Sequence, residues 1–333
     1  MPKNKQVVFN VGGALSIYTE TDNKTIINDL GKSDSFNPVN EFLLPLYKKR
    51  MSSKKDGKFV VDQLIISHPH KDHISAIEDF NEHFEPELLT CPNDRPGQAD
   101  SEKIKWDLLG IDLKDNSVKT LRQMLDNRTI PLRTSINVGS NVEQHIFWIP
   151  PGIVEIKNEL KSESYANNIS ILTIYRINGH TILMPGDLQK EGINHLLKND
   201  YHDTLGHQSA SSKTLNSLLG KHRVCILVAP HHGLESAFSV DLFRAMYSGK
   251  THCLNIISEK PNNPNENRNV DSRYASQDFC KGNNNLNSMN YWTNNYQRKT
   301  SNGHICIDYG DGARPNFKII QDTNALIDWF LYD

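Results

Sequence analysis

The sequence predicts a layered α/β fold, with two β-rich halves and helices on the outer faces. Three stretches carry this. VDQLIIS (61–67) is almost continuously apolar, as a strand covered on both faces should be, and it runs directly into HPHKDH. ISILTIYR, the turn INGH and TILMPGD form a hairpin that ends on Asp187. VCILVAP (224–230) is a further buried strand, and it delivers His231-His232-Gly233. Each strand hands a histidine or an aspartate to the segment after it, and layered α/β folds place their sites at such ends.

Taken in order, QVVFNVGGALSIYTE is apolar and alternating with a Gly-Gly break, and TIINDLG returns after the turn TDNK, giving a hairpin of strands. Gly12-Gly13 lacks the full glycine-rich fingerprint and a following helix, which excludes a nucleotide cradle there. FNPVNEFLLPLYKKR (36–50) reads as a helix and MSSKKDGK as a polar loop. After HPHKDH, ISAIEDFNEHF is amphipathic and helical. Residues 86–140 hold short strands, a helix near 117–126 and loops; EQHIFWIPP is a strand. QKEGINHLLKN begins a helix, 200–222 is a Ser-rich helical insertion or loop, SVDLFRAMYSG is helical and HCLNIIS a strand. Residues 260–290 are Asn-rich, with too few apolar side chains for a domain of their own. GHICIDY and NFKII are strands, and ALIDWFLY is a closing helix.

The 333 residues exceed a typical domain, yet the chemical motifs run from about 29 to 232 with no linker between them. The expectation is one domain, 1–333, with insertions near 90–140, 195–222 and 260–290. A formal net charge of −2 argues against an extended polyanion-binding surface, though a short local groove stays open. The five cysteines are widely spaced without a CxxC pair, and Cys225 and Cys306 sit in apolar runs, as reduced, buried strand thiols would. MPKNKQVVFNVGG lacks the apolar core of a signal peptide, and no stretch is long and apolar enough to span a bilayer. A cytoplasmic protein without membrane contact is expected.

The chemistry concentrates in few residues. His68 and His70 leave a strand at i and i+2, so both can point toward one ion. Asp72 and His73 lie just beyond, at the turn into a helix, within reach of a second ion. Imidazole with carboxylate suits Zn, Mn or Fe. Asp187 follows a strand and a permissive glycine, and a carboxylate there can bridge two ions. Adjacent histidines normally diverge, so one of His231 and His232 should bind metal and the other should face substrate; His231, nearer the strand, is the favoured ligand. Asp29, in TIINDLG, can accept a hydrogen bond from a ligand histidine and orient it. His83, His145, His180, His195, His202, His207, His222, His252 and His304 lack ligand spacing and read as ordinary surface or core residues.

Asp29 at a strand turn, then HPHKDH, PGD and HHG, resemble the metallo-β-lactamase superfamily in kind and order. NNIS (167–170) ahead of the Gly-Asp hairpin, PHHG (230–233), GHICIDY and the opening FNVGGALSIYTE are similar to the hydrolase domain of the ComEC-type competence proteins. The resemblance covers about residues 6–310 and implies an αββα sandwich with helical and loop insertions, holding two divalent ions, Zn or Mn. The superfamily usually has another histidine between HxHxDH and the bridging aspartate; here YANNIS places Asn167 or Asn168 near that position, which implies weaker binding at the His68/His70 site. The group's late Tyr-Gly-His-Pro has no clear match; DSRYAS (271–276) lies where it would fall. Nothing here matches the group's membrane channel, so DNA uptake does not carry over.

The implied activity is metal-dependent hydrolysis, with a phosphodiesterase or nuclease first and nucleic acid or another phosphodiester as substrate. Asp72, Asp187 and His232 would act in catalysis, and His68, His70, Asp72, His73, Asp187 and His231 would hold metal. Lys71, Arg273 and Lys299 are candidate phosphate contacts. A small-ester, lactone or cyclic-nucleotide hydrolase on the same centre is the alternative, followed by a non-catalytic metal-binding module.

Overall fold

The computed structural model describes residues 4–22, 24–92, 103–127, 141–199, 215–222, 224–246, 253–259, 270–275, 297–310 and 315–332. The strands of the first half are β1 (Lys5–Val8), β2 (Ser16–Glu20), β3 (Thr25–Leu30), β4 (Lys54–Lys55), β5 (Lys58–Ile65) and β6 (Phe84–Thr90). Those of the second are β7 (Val142–Phe147), β8 (Leu172–Ile177), β9 (His180–Met184), β10 (Val224–Val228), β11 (Leu254–Ile257), β12 (Gln297–Lys299), β13 (His304–Asp308) and β14 (Asn316–Ile320). Helices α1 (Leu44–Lys49), α2 (Lys71–Ile74), α3 (Ile77–His83) and α4 (Asn116–Asp126) lie in the first half. After them come α5 (Pro151–Ile156), α6 (Asn158–Asn168), α7 (Lys190–Lys198), α8 (Leu215–Lys221), α9 (Val240–Met246) and α10 (Thr323–Tyr332).

Among the described residues these strands form two mixed sheets. One runs β14-β13-β1-β2-β3-β5-β4, with β6 also on β5; the other runs β12-β11-β10-β9-β8-β7. Alternation along the strands decides what each face covers. Val8, Ile17, Ile26, Ile65 and Ile305 of the first sheet pack with Ile146, Tyr175, Ile182, Ile226 and Ile256 of the second. Their neighbours Val7, Tyr18, Ile27 and Leu64 join the helical core instead, where the Tyr18 ring meets Phe42 and Phe330 edge-on. This is the four-layered αββα sandwich of the metallo-β-lactamase fold, with one core between the sheets and another beneath the helices. The buried middle also holds a polar chain. The Gln63 amide donates to Thr90 Oγ1 (2.8 Å), the Gln144 amide to Gln63 Oε1 (2.8 Å) and the Tyr175 hydroxyl to Asn28 Oδ1 (3.1 Å).

The expected strands at the chain start, at 61–67 and across 169–187 are present. Asn178 and Gly179, both with positive φ, make the two-residue turn between β8 and β9. The helix expected after HPHKDH is broken into α2 and α3, because Ala76 N donates to Leu30 O (2.7 Å) and the Ser75 hydroxyl accepts from Lys32 N (2.8 Å). On α3, Asp79 accepts from Lys32 Nζ, Asn37 Nδ2 and Asn40 Nδ2 at 2.8–2.9 Å, tying the segment before α1 to this helix. Helices α5 and α6 stand where no helix was expected. The expected insertions are described only at 90–92, 103–127, 195–199, 215–222 and 270–275; the rest of them, with His202, His207, His252 and Cys280, lies outside the described residues. Cys306 is buried and Cys225 partly so. Among the described residues no helix is long and apolar enough to cross a membrane.

Candidate metal centre

Strand β5 pairs with β3 and β6 in parallel. Its chain continues past Ile65 to Ser67, whose main and side chains both bind the Asp29 carboxylate at the end of β3. Asp29 sits in the left-handed region (φ 59°), a conformation that aspartate tolerates better than most residues. That turn aims its carboxylate across to the next strand end. Oδ1 accepts from Ser67 N (2.7 Å), and Oδ2 accepts from Ser67 Oγ and from His73 Nδ1 (2.9 Å each). With Nδ1 donating to Asp29, His73 presents the lone pair of Nε2 to the interior, as a metal-ligating histidine must. Gly31 makes this approach possible, since a Cβ there would stand 2.2 Å from Asp72 O and 2.7 Å from Leu15 O.

The second sheet supplies the other wall. After β9, Gly186 (φ 61°) turns the chain where a Cβ would come within 2.9 Å of the Ser67 side chain. Asp187 comes next, with its amide donating to Ser170 Oγ (3.3 Å). Gly186 O accepts from His231 N (3.1 Å), which locks the end of β10 beside it. Asp187 Oδ1 lies 3.1 Å from His73 Nε2, and Oδ2 lies 3.9 Å from His68 Nε2. Oδ2 is also 3.8 Å from His232 Nε2 and 3.9 Å from His231 Nε2. His232 Nε2 is 3.2 Å from Asp72 Oδ2. Donor atoms of Asp72, His73, Asp187 and His232 therefore lie within 4.8 Å of one another, two from α2 beyond the first sheet and two from the segments that follow β9 and β10 of the second.

The remaining expected residues fall around this group. His68 is fully buried and reaches Asp187. His70 packs edge-on to His68, with its Nε2 3.4 Å from Leu109 O. Sequence left Asn167 and Asn168 as alternatives, and the structure separates them. Asn167 Nδ2 stands 3.4 Å from His231 Nε2, whereas Asn168 turns away to donate to Leu160 O (2.7 Å) and accept from Gln189 N (3.1 Å). The histidine pair departs from expectation, because both rings turn to the same aspartate instead of diverging. The reason is local: His231 (φ 48°) and His232 (φ 57°) are consecutive left-handed residues, and the extended or helical backbone behind the expectation does not apply. Sequence reasoning missed Ser67, which links Asp29, His68 and His73, and Ser236, whose hydroxyl meets His231 Nδ1 at 3.2 Å. Serine ahead of HxH was the available signal for the first.

The donor set fits a divalent cation. His68 Nε2 is buried without a hydrogen bond, a situation that costs roughly 1–3 kcal/mol unless a ligand compensates, and His73 Nε2 and Asp187 Oδ1, 3.1 Å apart, face each other without a well-formed one. Protonation follows the charges. Burial holds His68 well below the usual imidazole range, and the neighbouring His73 and His70 rings add to this. Burial would lower His73 too, but Asp187, Asp29 and Asp72 outweigh it and raise it. His232 is raised against its burial by Asp187 and Asp72, and His231 is lowered by burial. Burial opposes ionisation of Asp187 and Asp72; the surrounding histidines nevertheless hold Asp187 well below the carboxylate range and Asp72 below it too.

The three candidate phosphate contacts are each paired with an acid. Lys71 meets Asp115 (3.0 Å), Arg273 grips Asp271 (2.5 Å) while lying over the Phe238 ring, and Lys299 meets Glu259 (2.9 Å). His304, set aside as a core residue, is buried with Nδ1 accepting from Asn10 N (3.1 Å), and burial lowers it to about 4.

Residues 11–157 match the family model of the Metallo-beta-lactamase superfamily. No curated protein matches the sequence. Among solved structures, the chain is similar to a new diphosphatase from the PhnP family, at 10% identity over 69% of this chain and 87% of that one, with a TM-score of 0.29.

Proposed function

We propose that this chain, which carries a metallo-β-lactamase superfamily domain, is a metal-dependent hydrolase acting on phosphodiesters. One observation carries the reading: Asp72, His73, Asp187 and His232 converge from two sheets around buried ring nitrogens that no protein group satisfies. A divalent ion bound there would lower the pKa of water and stabilise charge on phosphoryl oxygens. The chain's own part is positional. Asp29 fixes the His73 tautomer, and Ser67 ties Asp29 to the end of β5. Asp187, at the meeting point of the histidines, serves both sides of the centre, and its two oxygens face different rings.

The preference for phosphodiesters rests on the paired carboxylates and on the sequence likeness, and nucleic acid is one member of that class. A small-molecule substrate, whether an ester, a lactone or a cyclic nucleotide (the last a small phosphodiester), is the second reading. The acid partners of Lys71, Arg273 and Lys299 favour it, because a long polyanion gains most from unpaired cations. Purified protein with Mn or Zn, assayed on linear DNA, RNA and bis(p-nitrophenyl) phosphate, tests the proposal. Turnover that needs metal and vanishes in Asp187→Asn, with far-UV circular dichroism unchanged, is expected. Full turnover in that variant would reduce Asp187 to a turn residue. A steep fall in affinity with salt would select a nuclease, and a flat response the small ester.

A further inference from the structure

We propose that His231 and Asn167 together cradle one phosphoryl oxygen of the substrate, with Ser236 setting the tautomer of His231. The inference rests on the phosphodiester reading above and names the side chains that recognise the substrate beside the metal-binding set. It reverses the expected roles of the pair, in which His231 bound metal and His232 faced substrate.

Placement separates the two histidines. Both rings turn to Asp187, but their further neighbours differ. His232 Nε2 lies 3.2 Å from Asp72 Oδ2, inside the four-donor set. His231 stands outside that set, with its Nε2 3.4 Å from Asn167 Nδ2. It is also the more open ring: its side chain is 20% exposed, against 10% for His232 and 0% for His68 and His73. Nε2 is 3.9 Å from Asp187 Oδ2, so an oxygen held there belongs to a group in contact with the centre.

Hydrogen bonding gives the pair its chemistry. Ser236 Oγ lies 3.2 Å from His231 Nδ1. When that hydroxyl donates, Nδ1 is the acceptor of a neutral ring and Nε2 carries the proton. Nε2–H then faces an N–H of Asn167, and two donors 3.4 Å apart cannot bond to each other. An oxygen about 2.9 Å from both nitrogens accepts from each. Paired N–H groups stabilise oxyanions in this way.

The amide is fixed and incomplete. Asn167 is only 4% exposed, and its Oδ1 is buried without a hydrogen bond. Exchanging the amide's O and N lets it accept from Nε2–H, yet either orientation leaves one buried amide atom without a partner until a ligand arrives. Its main-chain N donates to Ser164 Oγ (3.3 Å) and its O accepts from Ser170 N (3.0 Å). Ser170 Oγ in turn accepts from the Asp187 amide, which ties the end of α6 to the centre. A phosphodiester carries negative oxygen before, during and after hydrolysis, so inorganic phosphate is a fair probe of the cradle, whereas a carboxylic ester becomes an oxyanion only in the transition state.

Calorimetric titration of phosphate into the Mn(II)-loaded full chain tests this, with Mn(II) affinity and thermal melting measured alongside. The variants are His231→Gly, Asn167→Asp, Ser236→Ala and Ser236→Thr. Glycine adopts the left-handed backbone of His231 without steric cost, so His231→Gly removes the ring and keeps the turn. Asn167→Asp keeps the shape and replaces a donor with an acceptor. Both should weaken phosphate roughly tenfold or more, with Mn(II) bound no more weakly than in wild type. Ser236→Ala should weaken phosphate less, and Ser236→Thr should restore it. On bis(p-nitrophenyl) phosphate, His231→Gly should lose about 10²–10³ in kcat/KM. A wild type that does not bind phosphate, or phosphate affinity unchanged in either His231→Gly or Asn167→Asp, would overturn the cradle and leave the hydrolase reading standing. A roughly tenfold loss of Mn(II) affinity in His231→Gly would overturn it too, by making the ring a metal ligand. Phosphate binding that depends on both residues, in a chain that hydrolyses no phosphodiester, would keep the cradle and remove the hydrolase reading.

Discussion

Asp29 makes no contact with the ring nitrogens that face the centre, yet it decides where one of them points. Its Oδ2 holds His73 Nδ1 at 2.9 Å, and its left-handed backbone brings it there. Asn at this position keeps the backbone preference and the size but loses the charge. Asp29→Asn should therefore fold normally and bind Mn(II) about 10–100-fold more weakly, read by calorimetry; unchanged affinity would make Asp29 a turn residue only. At this scale the convergence of Asp72, His73 and Asp187 after strand ends was legible, whereas the expected pairing of His68 and His70 on one ion was not found in the geometry, since both residues lie beyond the end of β5 and His70 Nε2 stands at Leu109 O. The choice between Asn167 and Asn168 was not legible, since it depends on the phase at which α6 ends. The inward turn of both His231 and His232 was hidden for a similar reason: nothing in the sequence announces two left-handed histidines in a row.

Strands were the most readable elements, since the apolar runs at 61–67 and 224–230 needed no partner to be recognised. Helices α5 and α6 were not, because GIVEIKNELKSESYANN has a weak apolar stripe and the extended Ser164 interrupts its period. Two predictions belong here. The turn from β3 to the segment beneath α2 has no room for a side chain at Gly31, and the obstructing atoms are mostly backbone. Gly31→Ala should destabilise at or beyond the upper end of the roughly 1–3 kcal/mol typical of overpacking, measured by urea unfolding; a neutral result would mean the turn yields freely. The second concerns Asp79. Burial opposes its ionisation, but hydrogen bonds from Lys32, Asn37 and Asn40 outweigh this and lower its pKa. A depressed carboxylate stabilises the fold above its unfolded pKa of about 3.9, and this is lost as pH falls through the folded value. Asp79→Asn should melt below wild type at pH 7, and the gap should shrink below pH of about 3.9. A gap that persists unchanged into acid would show that charge is not what Asp79 contributes.

For the whole molecule, the two β-rich halves could be read from sequence, but the return of β13 to pair with β1 could not. Val7 lies opposite Cys306, and no local pattern encodes a pairing across so much chain. The same long-range closure means that the centre belongs to neither half: Asp72 and His73 sit on α2 after a strand of the first sheet, Asp187 and His232 on segments that follow strands of the second. An ion held by all four would fasten the sandwich at its edge and bind the folded chain far better than the unfolded one. Stripping metal should lower the melting temperature, and readding it should restore stability by about 2.7 kcal/mol at a hundredfold excess over Kd. Identical melting with and without chelator would show that the sheets hold this edge together unaided. In a cell the link runs further. Chains short of metal would be not only idle but open more often to proteases, so that supply of the ion would set how much of the protein survives.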